Sequence, residues 1–238
     1  MLRRTGQEIG WGPVLLVALL GAASPIQAQH AKAQDSSSPY PSMAPIAQYR
    51  MDRDAEIALA RTAAAASISR DAEIMVLGEK NFEVAVRGKN GFVCAVGRAF
   101  AGPLTNPEFW NPRNRSPICY NPAAARSLWP YAMKQTGMAL AGASKAQIID
   151  AVRTAVAKNE LGAPEAGSMA YMMSKDAYLT DRGGHKLAHV MFELPRSDVF
   201  QDDPAFFVSW DPAPVIEFNV PVGQWSDGTP IRPASKKR

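Results

Sequence analysis

The apolar residues of this chain change their period twice along the sequence, and that change limits the folds open to it. Phe82, Val84 and Val86 alternate with Glu83, Ala85 and Arg87. Side chains on a strand point to opposite faces in turn, so this alternation marks a half-buried strand. Ala72–Leu77 (AEIMVL) is an apolar run that ends at Gly78, and Phe92–Val96 (FVCAV) is a second one suited to a central strand. Gly88–Gly91 (GKNG) carries Asn-Gly, the strongest short-range hairpin signal, between two of these segments. Strand patterns return late in the chain. Ser168–Met173 and Ala188–Leu194 flank a polar connection and are expected to pair antiparallel, with further strands over Phe206–Trp210 and Val215–Val220.

The segments between and before these strands read as helix. Asp52–Ala66 is rich in Ala, Leu, Glu and Arg, with acids in its first turn. Asn121-Pro122 offers a side-chain cap followed by proline in the first turn. The helix from Ala123 to Leu140 is kinked or divided near Trp129-Pro130. Ser144-Lys145-Ala146-Gln147 is a capping box for another helix, with Ile149, Val152 and Val156 as its stripe and Ile148 beside it. Strands, helices, then strands imply an α+β fold: one domain, mainly antiparallel sheet, helices packed on one face.

Leu104–Pro122 holds three Asn-Pro pairs. Proline disfavours helix in the residue before it, so this stretch is expected to be a long ordered loop. Its aromatics Phe109, Trp110 and Tyr120 either cover an end of the core or bind a ligand.

Met1–Ala28 is laid out as a secretory signal peptide: Arg3 and Arg4, the apolar run Val14–Ala23, then a small residue for cleavage at Ala28. The run is shorter than the ~20 apolar residues that span a bilayer, so no stable membrane insertion is expected after cleavage. Residues 29–49, rich in Ala, Gln, Ser and Pro, read as a flexible leader, 50–228 as the domain, and 229–238 as a tail ending in Lys236-Lys237-Arg238. The chain has 26 basic and 22 acidic residues, a net charge of +4, and losing Arg3, Arg4 and Glu8 lowers that by one. So mild and scattered a charge argues against nucleic acid as a partner. Export to the periplasm or medium exposes Cys94 and Cys119 to oxidation, and a disulfide between them is expected. The alternative is a nucleophilic thiol with a base beside it.

Two histidines, His185 and His189, lie four residues apart in GGHKLAHVMFELP. On a helix they would share a face and a metal. On a strand they stand roughly 13 Å apart, too far for one ion. Gly183-Gly184 signals a turn, and Val190, Phe192 and Leu194 alternate with His189, Met191 and Glu193, so strand is expected and no shared metal. The residues nearest to chemistry are then His189 and Glu193 on one side of a strand. Tyr171 or Ser174 on the paired strand is the candidate hydroxyl of a general-base site, and His185 sits at its turn. No nucleotide, haem or metal-ligand motif occurs, and no cofactor is expected.

VRGKNGFVCAV, SPICYNPAAARS and YMMSKDAYLTDRGGHKLAHVMF, with the helix before them, resemble a group of uncharacterised exported bacterial proteins over about Asp54–Gly228. The resemblance implies bacterial export and one domain, and it assigns no activity or site residue. The functional expectation is a non-catalytic binding or interaction domain of the cell envelope, its partner a small ligand or an envelope protein. The alternative is an envelope hydrolase with His189 as base and a hydroxyl or cysteine nucleophile.

Overall fold

The computed structural model of the protein describes residues 38–182, 187–197 and 207–231. The signal peptide, the first part of the leader, His185 with its two glycines, and Lys236-Lys237-Arg238 lie outside the described residues. Within them the chain forms β1 (Glu73–Leu77), β2 (Phe82–Val86), β3 (Val93–Gly97), β4 (Ser116–Tyr120), β5 (Met169–Met172), β6 (His189–Pro195), β7 (Phe207–Ser209) and β8 (Val215–Pro221). They make one sheet in the order β2-β1-β3-β4-β5-β6-β8-β7. β1 and β3 run parallel, and the other neighbours run antiparallel. The fold is α+β with a mainly antiparallel sheet, and β5 pairs with β6 as the sequence implies.

Among the described residues five α-helices accompany this sheet: α1 (Arg53–Arg61), α2 (Ala66–Ser69), α3 (Pro122–Ser127), α4 (Trp129–Leu140) and α5 (Lys145–Ala157). None of the described helices is long and apolar enough to cross a membrane. Their starts follow local chemistry. The Asp52 carboxylate accepts from Ala55 N at 3.0 Å, and Asn121 Oδ1 accepts from Ala124 N at 2.9 Å. Ser144 and Gln147 form both bonds of the expected capping box. The helical region after Asn121 is two helices, divided at Leu128.

The helices occupy both faces rather than one. Met75, Ala95, Tyr120, Ala170 and Met191 belong to the larger core with α3, α4 and α5. Ile74, Cys94, Val96 and Cys119 belong to a second core, closed by Ala60 of α1 and by Ala63 and Ala64 after it. Small alanine side chains let that segment lie close to the sheet. Cys94 and Cys119 face each other across β3 and β4 and form a disulfide.

Three further expectations need correction. First, Asn90-Gly91 does not join paired strands, because β1 lies between β2 and β3. Residues 87–92 pass across the start of β1 instead, where Lys89 N donates to Asp71 O at 2.7 Å and Glu73 N to Phe92 O at 2.8 Å. A Cβ on Gly88 would stand 2.3 Å from Glu73 N, and Gly91 has φ +78°, so the crossing needs both glycines. Second, the Asn-Pro stretch is not all loop, since Ser116–Tyr120 is β4. Pro117 is tolerated there because β5 reaches only Cys119 and Tyr120, leaving β4 paired on one side at the proline. Third, the end of the leader is packed, not free. Tyr49 is fully buried, its hydroxyl donating to Trp110 O at 2.7 Å.

An ion pair joins these layers. Arg98, just past β3, and Glu56 of α1 are both buried, with Arg98 Nη2 3.0 Å from Glu56 Oε1. The pair lacks hydrogen-bond geometry at Nη2, so the attraction there is Coulombic. Arg98 Nε donates to Tyr49 O at 2.8 Å and Nη1 to Val96 O, while Glu56 Oε1 accepts from Leu77 N at 3.1 Å. Burial pushes the guanidinium down to about 10 even with Glu56 beside it. Arg98→Met strands a buried carboxylate and is expected to cost ~3–5 kcal/mol, whereas the double change Glu56→Met, Arg98→Met costs much less. Urea unfolding of the three proteins checks this; equal losses in the single and double variants would refute it.

Candidate functional site

A cavity of about 360 Å³ opens on the sheet face that carries the larger core. Ile118 of β4, Met172 of β5, Met191 of β6 and Val208 of β7 form apolar walls, and Ala99, Ala101 and Ala132 close it from the helical side. Tyr120, Trp129 and Trp210 add aromatic surface. His189, Glu217 and Asn219 bring polar atoms. A mostly apolar hollow of this size with a few converging polar groups has the form of a small-molecule site.

The strands that build it are turned in an unusual way. On β6, His189, Met191 and Glu193 face the cavity side, while Val190, Phe192 and Leu194 take the other face. On β8, Val215, Glu217 and Asn219 point inward, opposite Ile216, Phe218 and Val220. Phe192 is 38% exposed, Leu194 40% and Val220 43%. Burial alone would have put the more apolar phase of each strand inside.

That inversion brings two carboxyl groups together. Glu193 and Glu217 are register partners across β6 and β8. Glu217 lines the cavity, where Trp210 Nε1 donates to its Oε2 and Asn219 Nδ2 to its Oε1, both at 3.0 Å. Glu193 stands behind the lining, 1% exposed, and neither of its oxygens has a hydrogen-bond partner. Burial, then the neighbouring Glu217, pushes the Glu193 carboxyl up to about 8. Burial also raises Glu217, against the pull of Asn219 and Trp210. The Tyr120 phenol, buried near both acids, is raised strongly, by burial first and then by the two carboxylates.

The residues singled out from the sequence scatter. His189 reaches the cavity, with Nδ1 2.9 Å from Leu187 O. Tyr171 does not face it: Met172 is the register partner of His189, and Tyr171 packs on the opposite face against Phe92. Ser174 is held 2.6 Å from Thr62 Oγ1, and both cysteines are consumed by the disulfide. Phe109 and Trp110 are buried in the core, where their rings meet edge to face, and neither lines the cavity; Tyr120 does. No group of three or more His, Cys, Asp or Glu able to hold a metal occurs among the described residues. Glu217, Trp210 and Asn219 do not stand out as site residues in the sequence. The signal was present in the acids at one phase of Val215–Val220, but which phase faces inward depends on pairing with β6.

A second polar group explains why the Asn-Pro loop is ordered. Glu108 accepts from Thr180 Oγ1 at 2.7 Å, Asn111 Nδ2 at 2.8 Å and Asp181 N at 3.0 Å. Asp181 in turn accepts from Tyr40, Asn111 and Tyr178 and pairs with Arg113 at 2.6 Å. Burial works to raise Glu108, but these donors outweigh it and hold the carboxyl below its ordinary value. Each acid here is satisfied, so this network fastens the loop to the residues before α1 and after β5.

Glu193 gives a pH signature. A carboxyl raised on folding stabilises the fold fully below the unfolded value near 4.3, and that contribution is lost as pH rises through about 8. Wild type is expected to lose up to a few kcal/mol between pH 5 and pH 8.5, and Glu193→Gln to lose distinctly less. Urea midpoints at the two pH values test this, and parallel losses in both proteins would count against it. Compared with known proteins, the chain matches no family model, no curated protein and no solved structure, so the chemistry of this cavity rests on its own residues.

Proposed function

We propose that the protein is an exported, non-catalytic domain that binds a small organic ligand in the cavity beside Glu217. The observation that carries this reading is the inversion of β6 and β8. Polar side chains are turned into an apolar hollow while Phe192, Leu194 and Val220 are left exposed. Stability alone gives no reason for that arrangement, and polar residues at inward positions are where function overrides packing. The hydrolase alternative has less support. The thiols are bonded, Tyr171 lies on the other face of the sheet from His189, and the Ser174 hydroxyl is engaged by Thr62. The apolar outer face of β6 and β8 favours a second reading, an interaction domain that docks an envelope protein there.

A neutral naphthalene dye, 6-propionyl-2-dimethylaminonaphthalene, tests the cavity. Its emission is expected to rise and shift to the blue with one dye per protein. Val208→Trp, which fills the hollow from β7, is expected to weaken binding at least about tenfold with circular dichroism unchanged. A dye that does not bind, or binds the variant equally, would remove the cavity from the account.

Export is proposed on the charged start, the apolar run and the disulfide, which is compatible with an oxidising compartment. Intact mass of protein recovered from the envelope or medium is expected to begin at Gln29. Retention of residues 1–28 on protein found in the cytoplasm would exclude it.

A further inference from the structure

We propose that the ligand is an organic amine, with its ammonium group against Glu217 and its apolar body between the walls of β4 to β7. The proposal rests on the reading of the cavity as a ligand site and adds the charge of what fills it. Three observations point the same way.

The first is a shortage of donors. Glu217 receives one hydrogen bond on each oxygen, and each oxygen keeps a further lone pair. Its register partner Glu193, 1% exposed, receives none on either oxygen. Native proteins rarely leave a buried carboxyl in that state. An ammonium supplies three donors and the opposite charge.

The second is the balance of charge in the lining. Among the described lining residues Arg98 is the one Lys or Arg, and it is committed to Glu56 and to the carbonyls of Tyr49 and Val96. His189 holds Leu187 O through Nδ1. Among the described lining residues none is thus left to neutralise Glu217, and an anionic ligand would meet that carboxyl directly.

The third is aromatic surface. Tyr120, Trp129 and Trp210 all line the hollow, and Trp210 is tied to Glu217 through its indole N–H. Aromatic faces attract organic cations, most strongly when water is excluded. A carboxylate and three aromatic side chains around one apolar hollow form a receptor for an ammonium on a hydrophobic body. A neutral apolar ligand would use the walls and leave the remaining lone pairs of Glu217 without donors.

Calorimetric titration of the full mature chain with three probes of similar size tests the class: 2-phenylethylamine, 2-phenylethanol and 3-phenylpropanoate. The amine is expected to bind at least about tenfold more tightly than the alcohol, the worth of a charged hydrogen bond in a desolvated site, and the anion more weakly than either. Glu217→Gln is expected to bring the amine down to the level of the alcohol. Glu193→Gln, which removes the carboxyl that a bound ammonium would draw toward ionisation behind the lining, is expected to weaken the amine several-fold. It serves as the second variant if Glu217→Gln does not fold by near-ultraviolet circular dichroism. If the dye binds but the amine has no advantage over the alcohol, or keeps that advantage in both variants, the amine is excluded and the cavity reading survives. If neither dye nor probes bind, both are excluded.

Discussion

The Glu56–Arg98 pair is the constraint on which the other layers depend. Two opposite charges buried between a helix and a sheet are costly to desolvate, and they are tolerated only where every element around them is in place. Glu56 reaches the backbone of β1, Arg98 reaches the carbonyl of Tyr49, and the Tyr49 hydroxyl reaches the carbonyl of Trp110. Helix α1, the end of β3, the segment before the first helix and the Asn-Pro loop are thereby held in one mutual arrangement. Arg98 also touches the cavity, so the position of the hollow is set from the opposite face of the sheet.

The two ends of the sheet do different work. Around β1, β3 and β4 both faces are covered and the inward positions are apolar: Ile74, Ala95, Val96, the bonded cysteines. Around β6 and β8 the outer face is exposed at Phe192, Leu194 and Val220, and the inner face holds His189, Glu193, Glu217 and Asn219 among apolar side chains. The first region has the composition of a scaffold. The second gives up favourable burial of Phe192, Leu194 and Val220 to place polar groups at the hollow.

How much of this was legible in the sequence follows from how local each signal is. The caps at Asn121 and Ser144 act within one turn of helix, and both are made as the residues imply. The alternation in β6 and β8 also survives, because the pleat enforces it whatever the strands pair with. Strand order was not legible: Asn90-Gly91 makes a turn, but nothing within six residues reveals that β1 fills the gap between β2 and β3. β4 was hidden by Pro117, whose tolerance depends on how far β5 extends. His189 was correctly placed on a strand, yet its expected companion Tyr171 falls on the wrong face, since Met172 is its partner in the register. Glu193 is legible as a neighbour of His189 along the strand. Its encounter with Glu217 needs the register of β6 on β8, and that is information held by the whole sheet.

The disulfide has a consequence for the unfolded chain. Cys94 and Cys119 are 25 residues apart, and the ring they close contains Arg98, the 3₁₀ turn at Ala99–Ala101, the first two Asn-Pro pairs and Ile118. It thus encloses the part of the cavity lining from Gly97 to Ile118 together with the basic half of the buried ion pair. A closure of that length removes roughly 3 kcal/mol of chain entropy from the denatured ensemble in the loop-closure account. The two edges of the wall, far apart along the backbone, are already neighbours before any strand has paired. Once the bond is formed, this wall is a macrocycle whose ends need not find each other, and the remaining conformational search is to bring β5 to β8 against it.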